Sequence, residues 1–138
     1  NIDAGSDLIA KFIRSERELD PDLKINFYKN FTPEDYLKLV KNSECLIGNS
    51  SSGIRECSFL GIPFVNIGNR QNNREVGNNV FQAKVDCKDI LKKILLAEKK
   101  KKLIKPTSLY GSGNSAKKII KILKKIDFII EKQFNILK

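Results

Sequence analysis

The chain has 138 residues, 41% of them hydrophobic, a formal net charge of +10 and no histidine. That length suits one domain with a real core, no apolar run approaches the roughly 18 residues of a membrane-spanning helix, and no basic-then-apolar signal segment opens it. Without histidine, a zinc site with histidine ligands and the commonest general base are both excluded.

The charge is uneven. Up to Ala83 there are ten basic against eleven acidic residues, and beyond it sixteen against five, every one of the sixteen a lysine. Such asymmetry can signal nucleic acid or an anionic membrane. Here the lysines alternate with isoleucine and leucine, as in KKIIKILKK from Lys117 to Lys125, which fits the solvated face of an amphipathic helix. No arginine or aromatic interleaving gives a base-reading signature. Cys45, Cys57 and Cys87 lack paired spacing and sit in or beside apolar segments. They read as buried free thiols of a reducing compartment.

The chain opens at Asn1-Ile2-Asp3-Ala4-Gly5-Ser6, without methionine and inside an apparent strand-to-helix turn, so a piece of a longer protein is expected. The first element is a helix from about Ser6 to Glu18. Ser6 suits the cap, Asp7 the N-terminal turn, and Leu8, Ile9, Phe12 and Ile13 form its apolar stripe. Asp20-Pro21-Asp22 reads as a turn and Ile25-Asn26-Phe27-Tyr28 as a short strand. Thr32-Pro33-Glu34-Asp35 is a helix start, a capping hydroxyl followed by proline and acids; that helix carries Tyr36, Leu37, Leu39 and Val40 and ends near Asn42.

Next comes the stretch around which the chain is organised. Cys45-Leu46-Ile47 reads as a buried parallel strand. Gly48-Asn49-Ser50-Ser51-Ser52-Gly53 is a polar turn, and an apolar, small-residue helix runs from Ile54 through Leu60. Gly61-Ile62-Pro63 closes it, and Phe64-Val65-Asn66-Ile67 is the next strand. The unit is βαβ, with its helix starting at a cluster of hydroxyls. A helix N-terminus carries unpaired N–H groups and the positive end of the peptide dipoles, so a phosphate or diphosphate is a natural guest. A plain helix cap is the alternative use of three serines.

The polar stretch from Gly68 to Glu75 leaves the C-terminal end of a strand, where open α/β sheets place ligands. Arg70 and Arg74 there suit either a substrate anion or a solvated loop. Residues 80–85 read as a strand and 88–101 as a helix with Ile90, Leu91, Ile94 and Leu95 on one face. Tyr110-Gly111-Ser112-Gly113-Asn114 is a tight loop, and Asn114 or Ser115 caps a last helical region running to about Lys138, with a break near Asp127. Alternating strands and helices predict an α/β fold, a Rossmann-like parallel sheet with helices on both faces.

Several pieces, in this order, resemble one family: GNSSSGIRE at 48–56, GIPFVNIGNRQ at 61–71, REVGNNV at 74–80 and LYGSGNSAKKI at 109–119, with NIDAGS at the start. They are similar to the nucleotide-binding segment of UDP-N-acetylglucosamine 2-epimerases, in the hydrolysing branch that releases N-acetylmannosamine. The hydrolysing reading rests on Asn49-Ser50-Ser51 and Arg55-Glu56; non-hydrolysing relatives look more like an aspartate-serine-glycine-glycine turn followed by two glutamates. Asn72-Asn73 and Ser112 depart from the pattern in tolerant loops.

The resemblance implies a two-domain, GT-B-type enzyme of which residues 1–138 form most of the C-terminal, UDP-binding domain. The N-terminal domain and this domain's own first strand and helix are expected upstream of Asn1, with the last helix returning towards the partner domain. It implies that Ser50 and Ser51, with backbone N–H groups near Ser52 and Gly53, hold the diphosphate, and that Arg70 lies near the diphosphate or sugar. Glu56 would accept from the ribose hydroxyls, since a carboxylate can serve a vicinal diol; a surface ion pair with Arg55 or a lysine is its alternative. Arg74 and Glu75 would support the loop, and Tyr36 or Leu37 would meet the uracil. No cofactor and no metal are implied, and the partners would be a UDP-amino sugar and other copies of the enzyme, in the cytoplasm. The family's acids and bases, several carboxylates of the N-terminal domain and a histidine just upstream, are expected outside this chain, and no residue within it suits proton abstraction. A GT-B glycosyltransferase and a lysine-rich polyanion-binding module are the rival classes.

Overall fold

The computed structural model describes residues 6–20, 22 and 24–126. The chain divides into two compact units, Asn1–Thr32 and Pro33–Lys138. In the first, helix α1 (Ser6–Leu19) has Asp7 in its opening turn, as the dipole favours. The strand expected at residues 25–28 does not form. Ile25 and Tyr28 stay exposed, and the Tyr28 ring tilts against Phe31 with centroids 4.9 Å apart. An extended run becomes a strand when a neighbour completes its ladder; here the aromatic side chain finds its contact three residues away instead. The expected turn at residues 1–5 and Pro21 lie outside the described residues.

The second unit runs α2 (Pro33–Lys41), β1 (Leu46–Gly48), α3 (Ser52–Leu60), β2 (Phe64–Ile67), β3 (Val80–Ala83), α4 (Cys87–Lys100), a 3-10 turn at Lys101–Leu103, and α5 (Ser115–Leu123). The strands form a parallel sheet in the order β1-β2-β3, with Leu46 opposite Phe64 and Phe64 opposite Val80. Successive side chains of a strand face opposite sides. Phe64 accordingly joins Val40, Ile54, Cys57 and Ile62 on the side of α2 and α3, while Val65 joins Ala83 and Ala97 on the side of α4. Helices therefore cover both faces of the sheet. This is the α/β, Rossmann-like arrangement the alternation predicts.

Several boundaries differ from those read off the residues. The helix after β1 begins at Ser52, two residues before Ile54, because the serines take helical backbone angles: Ser51 has φ −63° and ψ −20°. It stops at Gly61, whose φ of 70° is left-handed and whose N–H reaches the carbonyls of Cys57 and Ser58. The strand from Val80 ends at Ala83, not Val85. The Lys84 N–H turns to the Asp89 carboxylate (2.8 Å), while Asp86 caps α4 by accepting from the Asp89 N–H (2.9 Å). On α4 the covered stripe is Ile90, Ile94 and Ala97, with Leu91 and Leu95 exposed; the small Ala97 lets the helix sit close to Val65. Cys87, expected buried, is exposed at the start of α4. Helix α5 ends at Leu123, before the break expected near Asp127, and the expected continuation to Lys138 lies outside the described residues.

Candidate functional site

The loops that leave the C-terminal ends of β1 and β2 meet, and the meeting point is the serine turn. The first turn of α3 lies hard against the sheet: a Cβ on Gly53 would stand 2.2 Å from the Phe64 ring. Only glycine fits there, so the chain can enter the helix directly above β2. Within the turn the Gly53 N–H donates to the Ser50 carbonyl (3.2 Å), and the Ile54 and Arg55 N–H groups both donate to the Ser51 carbonyl (3.1 and 3.0 Å). The Ser52 N–H reaches Ser50 Oγ at 3.3 Å. Ser51, at the cap position, makes no side-chain cap bond. The serines thus do not serve as a conventional helix cap. Ser50 is exposed, Ser51 and Ser52 are half-buried and Gly53 is buried, so hydroxyls line the outer rim of a helix N-terminus.

The second loop brings a cation and an amide to this turn. Arg70 Nη1 lies 3.5 Å from Asn49 Oδ1, with its guanidinium exposed. Gln71 Nε2 donates to the Asn49 carbonyl at 2.7 Å, and Gln71 is buried. Arg74 and Glu75 are exposed, further along the loop. What Glu75 supplies is its backbone carbonyl, which accepts from the Tyr110 hydroxyl.

Glu56 stands one turn beyond Ser52. Its Oε2 is buried and has no hydrogen-bond partner among the described residues. A carboxylate oxygen kept from water without a partner is costly, and Glu56 lines a cavity of about 330 Å³ into which a donor could enter. Leu37, Phe59, Tyr110, Gly111 and Gly113 form much of the remaining wall. The two residues proposed to meet a base are therefore separated. Leu37 shares the cavity with Glu56, whereas the Tyr36 ring packs on the core and its hydroxyl donates to Ser52 Oγ at 2.8 Å. A larger cavity of about 630 Å³ opens at the end of β3, lined by Gly68, Asn69, Gln82, Lys84, Asp89 and Lys93. There Asp89 is already committed to the Lys84 N–H. Among the described residues no group of three or more cysteines, aspartates and glutamates is placed to hold a metal ion.

Three features of the site were not assigned from sequence. Tyr110 and its glycine loop wall the Glu56 cavity, and the only signal was the LYGSGN motif, which carried no role. Gln71 and Asn79 bond to the serine turn from below, and nothing in their spacing marks a buried amide apart from a surface one.

Residues 1–124 match the family model described as UDP-N-acetylglucosamine 2-epimerase. The chain is 35% identical to the UDP-N,N'-diacetylbacillosamine 2-epimerase (hydrolyzing) of Legionella pneumophila, over 91% of this chain and 32% of that protein. It is 33% identical to the polysialic acid biosynthesis protein P7 of Escherichia coli, over 96% of this chain and 33% of that one. With the GDP/UDP-N,N'-diacetylbacillosamine 2-epimerase (hydrolyzing) of Campylobacter jejuni it shares 35% identity, over 80% and 30% of the two chains. The chain spans about a third of the length of these relatives. With the sheet, the serine turn and a match over most of its residues in agreement, the chain belongs to the UDP-N-acetylglucosamine 2-epimerase family.

Proposed function

We propose that this chain is the UDP-binding part of a hydrolysing UDP-N-acetylglucosamine 2-epimerase, which yields N-acetylmannosamine and UDP for sialic acid or surface polysaccharide synthesis. The observation that carries the reading is the orphaned Oε2 of Glu56, one helical turn from the serine rim. A carboxylate that accepts from both hydroxyls of a ribose answers that orphan, and a diphosphate on the same nucleoside reaches the helix N-terminus. Ser50 and Ser51 would hold the diphosphate with Arg70 as its counter-charge, the first turn at Ser52 and Gly53 would supply the dipole, and Leu37 would face the base. Tyr36 would brace the turn through Ser52.

In the proposed reaction a base removes the proton at carbon 2 while the bond from carbon 1 to the UDP oxygen breaks, leaving a glycal and UDP. Water then adds, its oxygen to carbon 1 and a proton to carbon 2 from the opposite face. Acids and bases for both steps are required, and this chain offers UDP binding without them. Several carboxylates for them belong, on this reading, to an N-terminal domain facing this one across a GT-B cleft, in a cytoplasmic homo-oligomer. A second substrate, a UDP-linked 2,4-diacetamido sugar, is favoured by the names of two relatives. Product analysis of the longer enzyme, free amino sugar against transfer to an acceptor, separates an epimerase from a glycosyltransferase.

The site assignment is tested by calorimetric titration of the chain with UDP, uridine and pyrophosphate. Glu56→Ala is expected to weaken UDP by about 1.5–3 kcal/mol, the scale of a hydrogen bond to a charged group, with pyrophosphate nearly unchanged. Equal weakening of pyrophosphate would remove the ribose from Glu56. A steep salt dependence for polyanions with no preference for UDP would favour the polyanion-binding class instead.

A further inference from the structure

The serine turn is gripped at both ends by side-chain amides that the functional reading has not used. At its entrance Gln71 Nε2 donates to the Asn49 carbonyl at 2.7 Å. At its exit Asn79 Nδ2 donates to the carbonyl of Gly53 at 3.0 Å and to that of Ile62 at 3.1 Å, tying the first residues of α3 to those just beyond its end. The Asn79 main chain adds a third tie, its carbonyl accepting from the N–H of Phe64 (2.7 Å), the residue whose ring abuts Gly53. Both amides are deep in the structure, Asn79 0% and Gln71 5% exposed.

Their other ends show what they are for. Asn79 Oδ1 and Gln71 Oε1 are buried without a hydrogen-bond partner among the described residues. An unpaired buried acceptor is destabilising, and an apolar side chain of the same size would avoid it. The two positions therefore tolerate that cost in exchange for their donors; two of the three donor bonds end on the serine turn, at Asn49 and Gly53, and the third ties the turn to Ile62 beyond the end of α3.

We propose that Gln71 and Asn79 are positioning residues that hold residues 49–53 in a preformed shape for the diphosphate. This rests on the reading of the turn as a diphosphate site. A turn fixed in advance does not have to be ordered when the ligand arrives, so the amides act on affinity without touching the ligand. Gln71 follows Arg70 directly, so its bond to Asn49 also sets the cation's approach to the same turn.

The test uses the 138-residue chain and two near-isosteric variants, Gln71→Met and Asn79→Leu, which keep volume and remove donors. Hydrogen exchange at the Ser52, Gly53 and Ile54 amides is expected to accelerate in each variant, while α4 amides stay as they were. Pyrophosphate affinity is expected to fall about fivefold for Gln71→Met, the fold-change of one lost neutral hydrogen bond. Uridine affinity is expected to hold, which a general loosening of the fold would not allow. Unchanged exchange at the turn in both variants, or equal loss for uridine and pyrophosphate, overturns the proposal. If Asn79→Leu does not fold, Gln71→Met, at the loop, decides it. Should the unaltered chain bind neither UDP nor pyrophosphate, the diphosphate reading falls, and the exchange rates alone still decide whether the amides hold the turn.

Discussion

Glu56 and Cys57 are neighbours on α3 that burial treats in different ways. Glu56 is half-buried and lines the cavity, with its Oε2 buried and unpaired among the described residues, whereas Cys57 is fully buried in the core. Loss of water raises the Cys57 thiol from its ordinary 9.0 to about 12, helped by the negative charge of Glu56. The folded chain thus keeps a proton there that the unfolded chain loses. Stability is accordingly expected to fall as the pH rises from 9.0 towards 12. Denaturant melts along that range check it: Cys57→Ala should show a shallower slope than the unaltered chain, and an equal slope would deny the contribution. That Cys57 is a structural thiol was legible in its apolar setting. That Cys87 is exposed was not, because a cysteine at a helix start beside an apolar segment carries no sign of which way its side chain turns.

At the level of elements, the signals that succeeded were local ones. Pro33 and its two acids mark the start of α2, and Phe64 to Ile67 form β2 at the expected boundaries. Where sequence fell short, a tertiary contact decided. The serines became helical because Gly53 lets the first turn of α3 press on Phe64, and the aromatic run at residues 25–28 took a neighbouring ring in place of a partner strand. The Gly53 contact makes a specific prediction. Gly53→Ala drives a methyl to 2.2 Å from the Phe64 ring, so it is expected to cost about 1–3 kcal/mol or more in a urea melt, as overpacking does. Gly53→Ala combined with Phe64→Leu should cost less than the sum of the two changes. Strict additivity would mean that the two residues do not press on each other.

Across the whole molecule, the resemblance carried the family and the residues carried the sheet, while the amides beneath the site became visible only in three dimensions. Strand β1 has three residues at one edge of the described sheet, with Ile47 45% exposed. Ile119, Ile120, Ile122 and Leu123 of α5 are also exposed. Open sheet edges and apolar faces invite pairing with another chain, so the isolated chain is expected to self-associate or to be marginally stable. Sedimentation at rising concentration reads this directly; a monomer throughout with a sharp, cooperative melt would contradict it.

On the proposed function these residues hold the nucleotide and leave the chemistry elsewhere. Saturation-transfer NMR of the chain with UDP-N-acetylglucosamine tests it in a single sample. Strong transfer to the ribose and uracil protons, weak transfer to the N-acetyl methyl, and no N-acetylmannosamine accumulating with time are expected. Strongest transfer to the N-acetyl group, or release of N-acetylmannosamine by this chain alone, would contradict it.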